Sequence, residues 1–142
     1  MKIIRSKDEL EGTCYIEVLP GKYNGKCWSD DSIFFSEEVF GFLEKSIERE
    51  YPEYDHYAFS EIHKETWLRI LERLNILVSL LDDNATIEEF KDHVYFVFVS
   101  SEDEFKQDFD NNVHKLCVLI KEFQDWIRVQ FQTQDYISVL GI

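Results

Sequence analysis

The stretch KETWLRILERLNILVSLL, residues 64–81, decides the fold. Trp67, Ile70, Leu71, Leu74, Leu77, Val78 and Leu81 recur at intervals of three and four, which lines one side of an α-helix with apolar groups. Asp82-Asp83-Asn84 then breaks the pattern, so the spacing predicts a helix over residues 64–81. Upstream, Ser36 offers an N-cap ahead of Glu37-Glu38, and Val39, Phe40, Leu43, Ile47 and Tyr51 again keep helical spacing. Pro52 disfavours helical backbone in the residue before it and stops that helix near Tyr51. Downstream, Val113, Leu116, Cys117, Ile120, Phe123, Ile127 and Phe131 mark a long final helix.

Between and around these helices the period changes to that of strands. Lys2 to Arg5 and Thr13 to Leu19 are rich in β-branched and aromatic residues, and Pro20-Gly21 and Asn24-Gly25 break the chain after them. Alternation in Thr13 to Leu19 sets Cys14, Ile16 and Val18 against Tyr15, Glu17 and Leu19, as in a sheet with one buried side. Val94 to Val99 (VYFVFV) is apolar on both faces and reads as a buried inner strand or a buried helix segment. Tyr136 to Leu140 reads as a closing strand, Thr86 and Glu89 have capping-box spacing, and Glu102 to Asp110 reads as an acidic linker. The order β, β, α, α, β, α, β lacks regular alternation. It predicts a single α+β domain with a small, mostly antiparallel sheet packed with about three main helices.

Charge constrains the binding partner more tightly than any motif does. The 142 residues carry 29 Asp and Glu against 15 Lys and Arg, a net charge of −14. Two tracts hold the excess: residues 28–65 have eleven acids and three bases, residues 82–110 have ten and two, and the rest sums to +2. Such a surface is repelled by phosphate backbones and anionic lipid heads, which argues against direct nucleic-acid or membrane binding. It selects for cationic partners. The apolar fraction of 44%, with 12 Phe, 7 Tyr and 3 Trp, supports a substantial core in spite of the charge. Cys14, Cys27 and Cys117 are odd in number and lack metal-ligand spacing, so they read as reduced, buried thiols of a cytoplasmic protein. The N-terminus lacks the apolar run of a secretory signal, and no window approaches the length of a membrane span.

No spacing builds an active site. His56, Glu61 and His63 have the residue types of a metal-dependent enzyme, but seven residues across a loop-to-helix junction form neither HExxH nor a facial triad. Ser100-Ser101 lacks the GxSxG turn, the five glycines form no phosphate-binding loop, and no acidic run matches a calcium loop, so no cofactor is expected. The first acidic tract differs from a plain solvated face in its interleaved aromatic residues. Exposed tyrosines ringed by carboxylates have the composition of a protein-binding hot spot facing Lys and Arg. The candidate contact residues are Asp30, Asp31, Glu48, Glu53, Tyr54, Asp55, His56, Tyr57 and Glu61.

With the Tyr54-Asp55-His56-Tyr57 segment running into the Trp67 helix and the apolar C-terminus YISVLGI, the small acidic chain resembles immunity proteins of bacterial contact-dependent and other polymorphic toxin systems. The resemblance implies an inhibitor that binds one cognate toxin domain, commonly a basic nuclease, and blocks its active site or substrate approach. It assigns no functional residue. An acidic adaptor for another basic partner is the alternative, followed by the metal-dependent enzyme.

Overall fold

The structure is a computed structural model that describes residues Met1–Ile142. The decisive stretch forms helix α2, Lys64–Asp82, with His63 as its N-cap and Asn84 turning the chain through a left-handed φ of 58° just beyond its end. Trp67, Ile70, Leu71, Leu74, Leu77 and Leu81 are buried along one side of α2, each contributing about 2 kcal/mol by removal from water. Trp67 also donates its indole N–H to the Ile137 carbonyl at 3.0 Å, which ties the helix to the sheet. Helix α1, Glu37–Glu50, starts at Ser36, whose Oγ accepts from the Val39 amide, and ends at Tyr51 as Pro52 requires.

Strands β1 (Tyr15–Pro20), β2 (Ile33–Ser36), β3 (Phe59–His63) and β4 (Tyr136–Leu140) form one antiparallel sheet in the order β2-β1-β4-β3. The expected small α+β domain is therefore the observed architecture. Register places Ile16, Val18, Ile33, Phe35, Ile62, Ile137 and Val139 on one face of the sheet, where they join the core formed with α1, α2 and the long helix α5, Phe109–Gln130. Two short helices, α3 (Ile87–Phe90) and α4 (Ser101–Gln107), complete the fold.

Several expectations are corrected. Lys2 to Arg5 contributes only an isolated bridge, Ile4 to Phe34, which covers the free edge of β2. Strand β3 has no counterpart among the expected elements: residues 59–63 alternate exposed and buried, but their inward positions include the polar Ser60. Glu102 to Asp110 is helix rather than linker: it holds most of α4 and the start of α5. Val94 to Val99 is neither strand nor helix. It is an extended strap across α1, held by Tyr95 N–H to the Gly41 carbonyl at 3.0 Å and by Phe96 packing on Phe42 and Phe105.

The second sheet face is also covered, contrary to the one-sided reading of β1. The segment 21–32 folds back over it, and Glu17, only 2% exposed, accepts from the Trp28 amide (2.7 Å), the Ser29 amide (2.9 Å) and the Ser32 hydroxyl (2.6 Å). Of the three cysteines only Cys117 is buried, because Cys14 precedes β1 and Cys27 lies on the outer side of that loop.

Candidate functional site

Positions 37, 41, 44 and 48 of α1 fall four, three and four residues apart, so they share one stripe of the helix. The sequence places Glu, Gly, Glu and Glu there, and each of these residues holds a segment of one or the other acidic tract. Glu37 and Glu44 take His56: Nε2 lies 2.8 Å from Glu37 Oε1 and Nδ1 lies 2.6 Å from Glu44 Oε1. Gly41 receives the Tyr95 amide, and Glu48 accepts from the Tyr95 hydroxyl at 2.9 Å. Glu38, adjoining the stripe, accepts from the Ser101 hydroxyl at 3.0 Å. The second acidic tract and the His56 loop of the first are thereby laid against one helix, itself part of the first tract.

The His56 cluster is an electrostatic clamp. Glu44 is 5% exposed, and an imidazole whose two ring nitrogens both face carboxylate oxygens satisfies them only as the doubly protonated cation. Burial works against that charge on His56, but the hydrogen bond to Glu37 and the field of Glu44 outweigh it and hold its pKa above the ordinary imidazole value. Burial lifts the Glu44 pKa, and the imidazolium offsets only part of that rise. The Tyr54 hydroxyl is buried beside the Glu44 carboxylate without a hydrogen-bond partner, and burial followed by the Glu44 charge pushes its pKa far up.

Gly41 is needed where the strap crosses. A Cβ there would collide with Val97 Cγ2 and lie 3.1 Å from the Tyr95 carbonyl oxygen. Gly41→Ala is expected to cost about 1–2 kcal/mol net, overpacking exceeding the gain of about 1 kcal/mol in helix propensity. Chemical denaturation together with hydrogen exchange at the Tyr95 amide checks this; an unchanged midpoint and unchanged exchange would show that the strap moves aside freely.

The predicted contact residues, besides the clamped His56, divide into four groups. Tyr57 is 71% exposed and packs edge-on against His56, while Glu53 and Asp55 are exposed beside it and the Asp55 carboxylate accepts from the Tyr57 amide. Tyr54 is corrected: at 8% exposure it belongs to the core, because the turn after Pro52 drives its ring under the loop beside Glu44. Asp30 pairs with Lys7 at 3.0 Å and Glu61 accepts from the Tyr23 amide, which places Asp30, Asp31 and Glu61 with the 21–32 loop. Glu48 stays exposed on the α1 stripe.

The other chemistry-bearing groups have structural partners. His56 is clamped to α1, Glu61 holds the Tyr23 amide and His63 Nδ1 accepts from the Glu65 amide, so the three do not converge on a common point. No group of three or more His, Cys, Asp or Glu side chains has the geometry to hold a metal ion. Cys117 donates to Asp82 at 3.2 Å beside a concavity of about 510 Å³ between the end of α2 and α5. Burial pushes that thiol's pKa up, which opposes formation of a nucleophilic thiolate.

Sequence reasoning missed Glu37, Glu44 and Ser101, and it missed the turn at Phe98 and Val99. Phe98 is half exposed and Val99 fully exposed, although both end an apolar run that reads as buried. The only local signal was Ser100-Ser101, where Ser101 turns out to close the turn.

No family model matches the chain, and neither a curated protein nor a solved structure matches it. No helix is long and apolar enough to cross a membrane.

Proposed function

We propose that this protein is an inhibitory binding module, an immunity protein that docks a basic toxin domain through the acidic surface built on α1. The observation that carries the reading is the convergence on one helix of both acidic tracts, each bringing exposed apolar side chains: Tyr57 from the first, Phe98 and Val99 from the second. An interface of aromatic anchors within a rim of like charge gains association rate by steering and gains specificity by repelling acidic competitors. The two cations on this part of α1 are engaged locally, Lys45 over the Tyr95 ring and Arg49 on the Asp92 carbonyl, and so compete little with a basic partner. A carboxylate surface of this kind also imitates phosphate, which suits a nuclease groove.

The test begins with low-salt capture from the native cell, because such complexes weaken as ionic strength rises. Reversing Glu53 and Asp55 to lysine is expected to slow association with the captured basic protein about tenfold while lowering the melting temperature by only a few degrees, since both side chains are exposed and the one bond lost is that of Asp55 to the Tyr57 amide. An association rate indifferent to both salt and charge reversal would sink the docking surface. A basic partner that is harmless to cells lacking this protein would overturn the immunity role and leave an adaptor.

A further inference from the structure

We infer that the turn Phe98 to Ser101 is the anchor that gives the docking surface its lifetime, inserting Phe98 and Val99 into an apolar pocket rimmed by Lys and Arg on the partner protein. This rests on the binding role proposed above. Its occupant is defined by what surrounds the tip: in the first turn of α4 Glu102 is paired with Lys106 but Asp103 and Glu104 stand exposed, so a pocket with acidic margins is disfavoured. The same charge argues against self-association, since a second copy would bring an equal acidic collar and another net charge of −14.

The turn is built to hold its shape. The Phe98 amide donates to Ser101 Oγ at 3.1 Å and the Ser101 amide donates back to the Phe98 carbonyl at 3.0 Å. Ser101, itself buried, then donates its hydroxyl to Glu38 on α1. Beneath the turn, Phe96 and Phe105 pack against each other and against Phe42, with Phe90 and Phe109 extending the cluster. A fully exposed valine and a half-exposed phenylalanine on so well-anchored a turn give up little conformational entropy on binding.

The experiment uses the full chain, its Phe98→Ser/Val99→Ser double variant and the Glu53→Lys/Asp55→Lys variant, each measured against the basic protein purified from the low-salt capture. The tip variant is expected to dissociate ten- to a hundredfold faster with its association rate and salt dependence unchanged, because buried anchors act on dissociation and charges act on encounter. The charge variant is expected to do the reverse. A single cooperative unfolding transition within a few degrees of that of the unaltered protein establishes that the substitutions leave the fold intact, the charge variant having lost the Asp55 bond to the Tyr57 amide.

Dissociation of the tip variant within twofold of the unaltered protein would overturn the anchor while the docking surface stood. If no basic protein is retained, or if retention ignores salt, the binding role itself falls and takes the anchor with it.

Discussion

Glu17→Ala is expected to lower the unfolding free energy by about 3 kcal/mol and to release the 21–32 segment from the sheet. The carboxylate sits in the middle of β1 on the face away from the helices and accepts three hydrogen bonds from one short stretch of chain. Bonds to a charged acceptor contribute about 1.5–3 kcal/mol each when intact, and a donor left buried without an acceptor costs about 1–3 kcal/mol. The loss stays below the sum because the segment can lift and let water reach the freed amides. Trp28 sharpens the expectation: its φ of 65° is a left-handed conformation that a non-glycine residue rarely holds without support, and Glu17 is that support. Once the segment lifts, Phe34, Leu19 and Leu140, which are buried outside the main core cluster, gain access to water. Urea denaturation gives the stability change, and amide exchange at Trp28 and Ser29 gives the local release. Protection of those amides equal to that in the unaltered protein would show that other contacts hold the segment.

His56→Ala is expected to cost about 3 kcal/mol and to leave a distinctive pH dependence. Removing one member of a buried ion pair strands the other, and the nearly inaccessible Glu44 would then have to protonate or draw water beneath the loop. His56→Gln keeps an uncharged N–H donor in place of the two on the imidazolium, and so removes the charge while leaving one hydrogen bond within reach. The charged groups facing His56 are Glu37 and Glu44 from α1; the neutral Tyr57 ring packs on it, and Tyr54 beside Glu44 stands in turn in the field of Asp55 and Glu48. A histidine whose pKa is raised on folding stabilises fully below its unfolded value of 6.5, and that stabilisation is lost as pH rises through the higher folded value. Glu44, also raised, changes in the same direction at lower pH. The stability difference between the unaltered protein and His56→Gln should therefore be largest just below pH 6.5, shrink on the alkaline side as His56 deprotonates, and shrink again in acid as Glu37 and Glu44 protonate and the ion pair is lost. His93 shifts the opposite way, lowered by burial and by Arg49, but it is present in both proteins and cancels in the difference. A difference independent of pH would mean that His56 is held as a neutral ring.

These two clusters mark the boundary of what could be read from the chain. Helices α1 and α2 and strand β4 were legible because their determinants are local: a serine before two glutamates, a proline at position 52, apolar groups every three or four residues, and a β-branched run. The acidic character of the surface was legible too, since charge survives any arrangement of the chain. Strand β3 was not, because its ladder lies with β4 some seventy residues on and its inward serine hides the alternation. Val94 to Val99 was misread for the related reason that an apolar run states how much burial it needs but not against what. Only packing on Gly41, Phe42 and Phe105 makes it a strap ending in an exposed tip.

The candidate surface divides along the same line. Tyr57, Glu53 and Asp55 lie outside as their irregular, polar setting implies, whereas Tyr54, three residues from Tyr57 in the same setting, is turned inward to Glu44. Sequence by itself determined that an α+β chain with a strong helical core would carry two acidic tracts, because periodicity and charge are properties of neighbouring residues. Only the tertiary structure decided that the tracts meet. The carboxylates that join them, Glu37, Glu38, Glu44 and Glu48, lie within the first tract itself, on a helical stripe that acquires its partners when the chain closes.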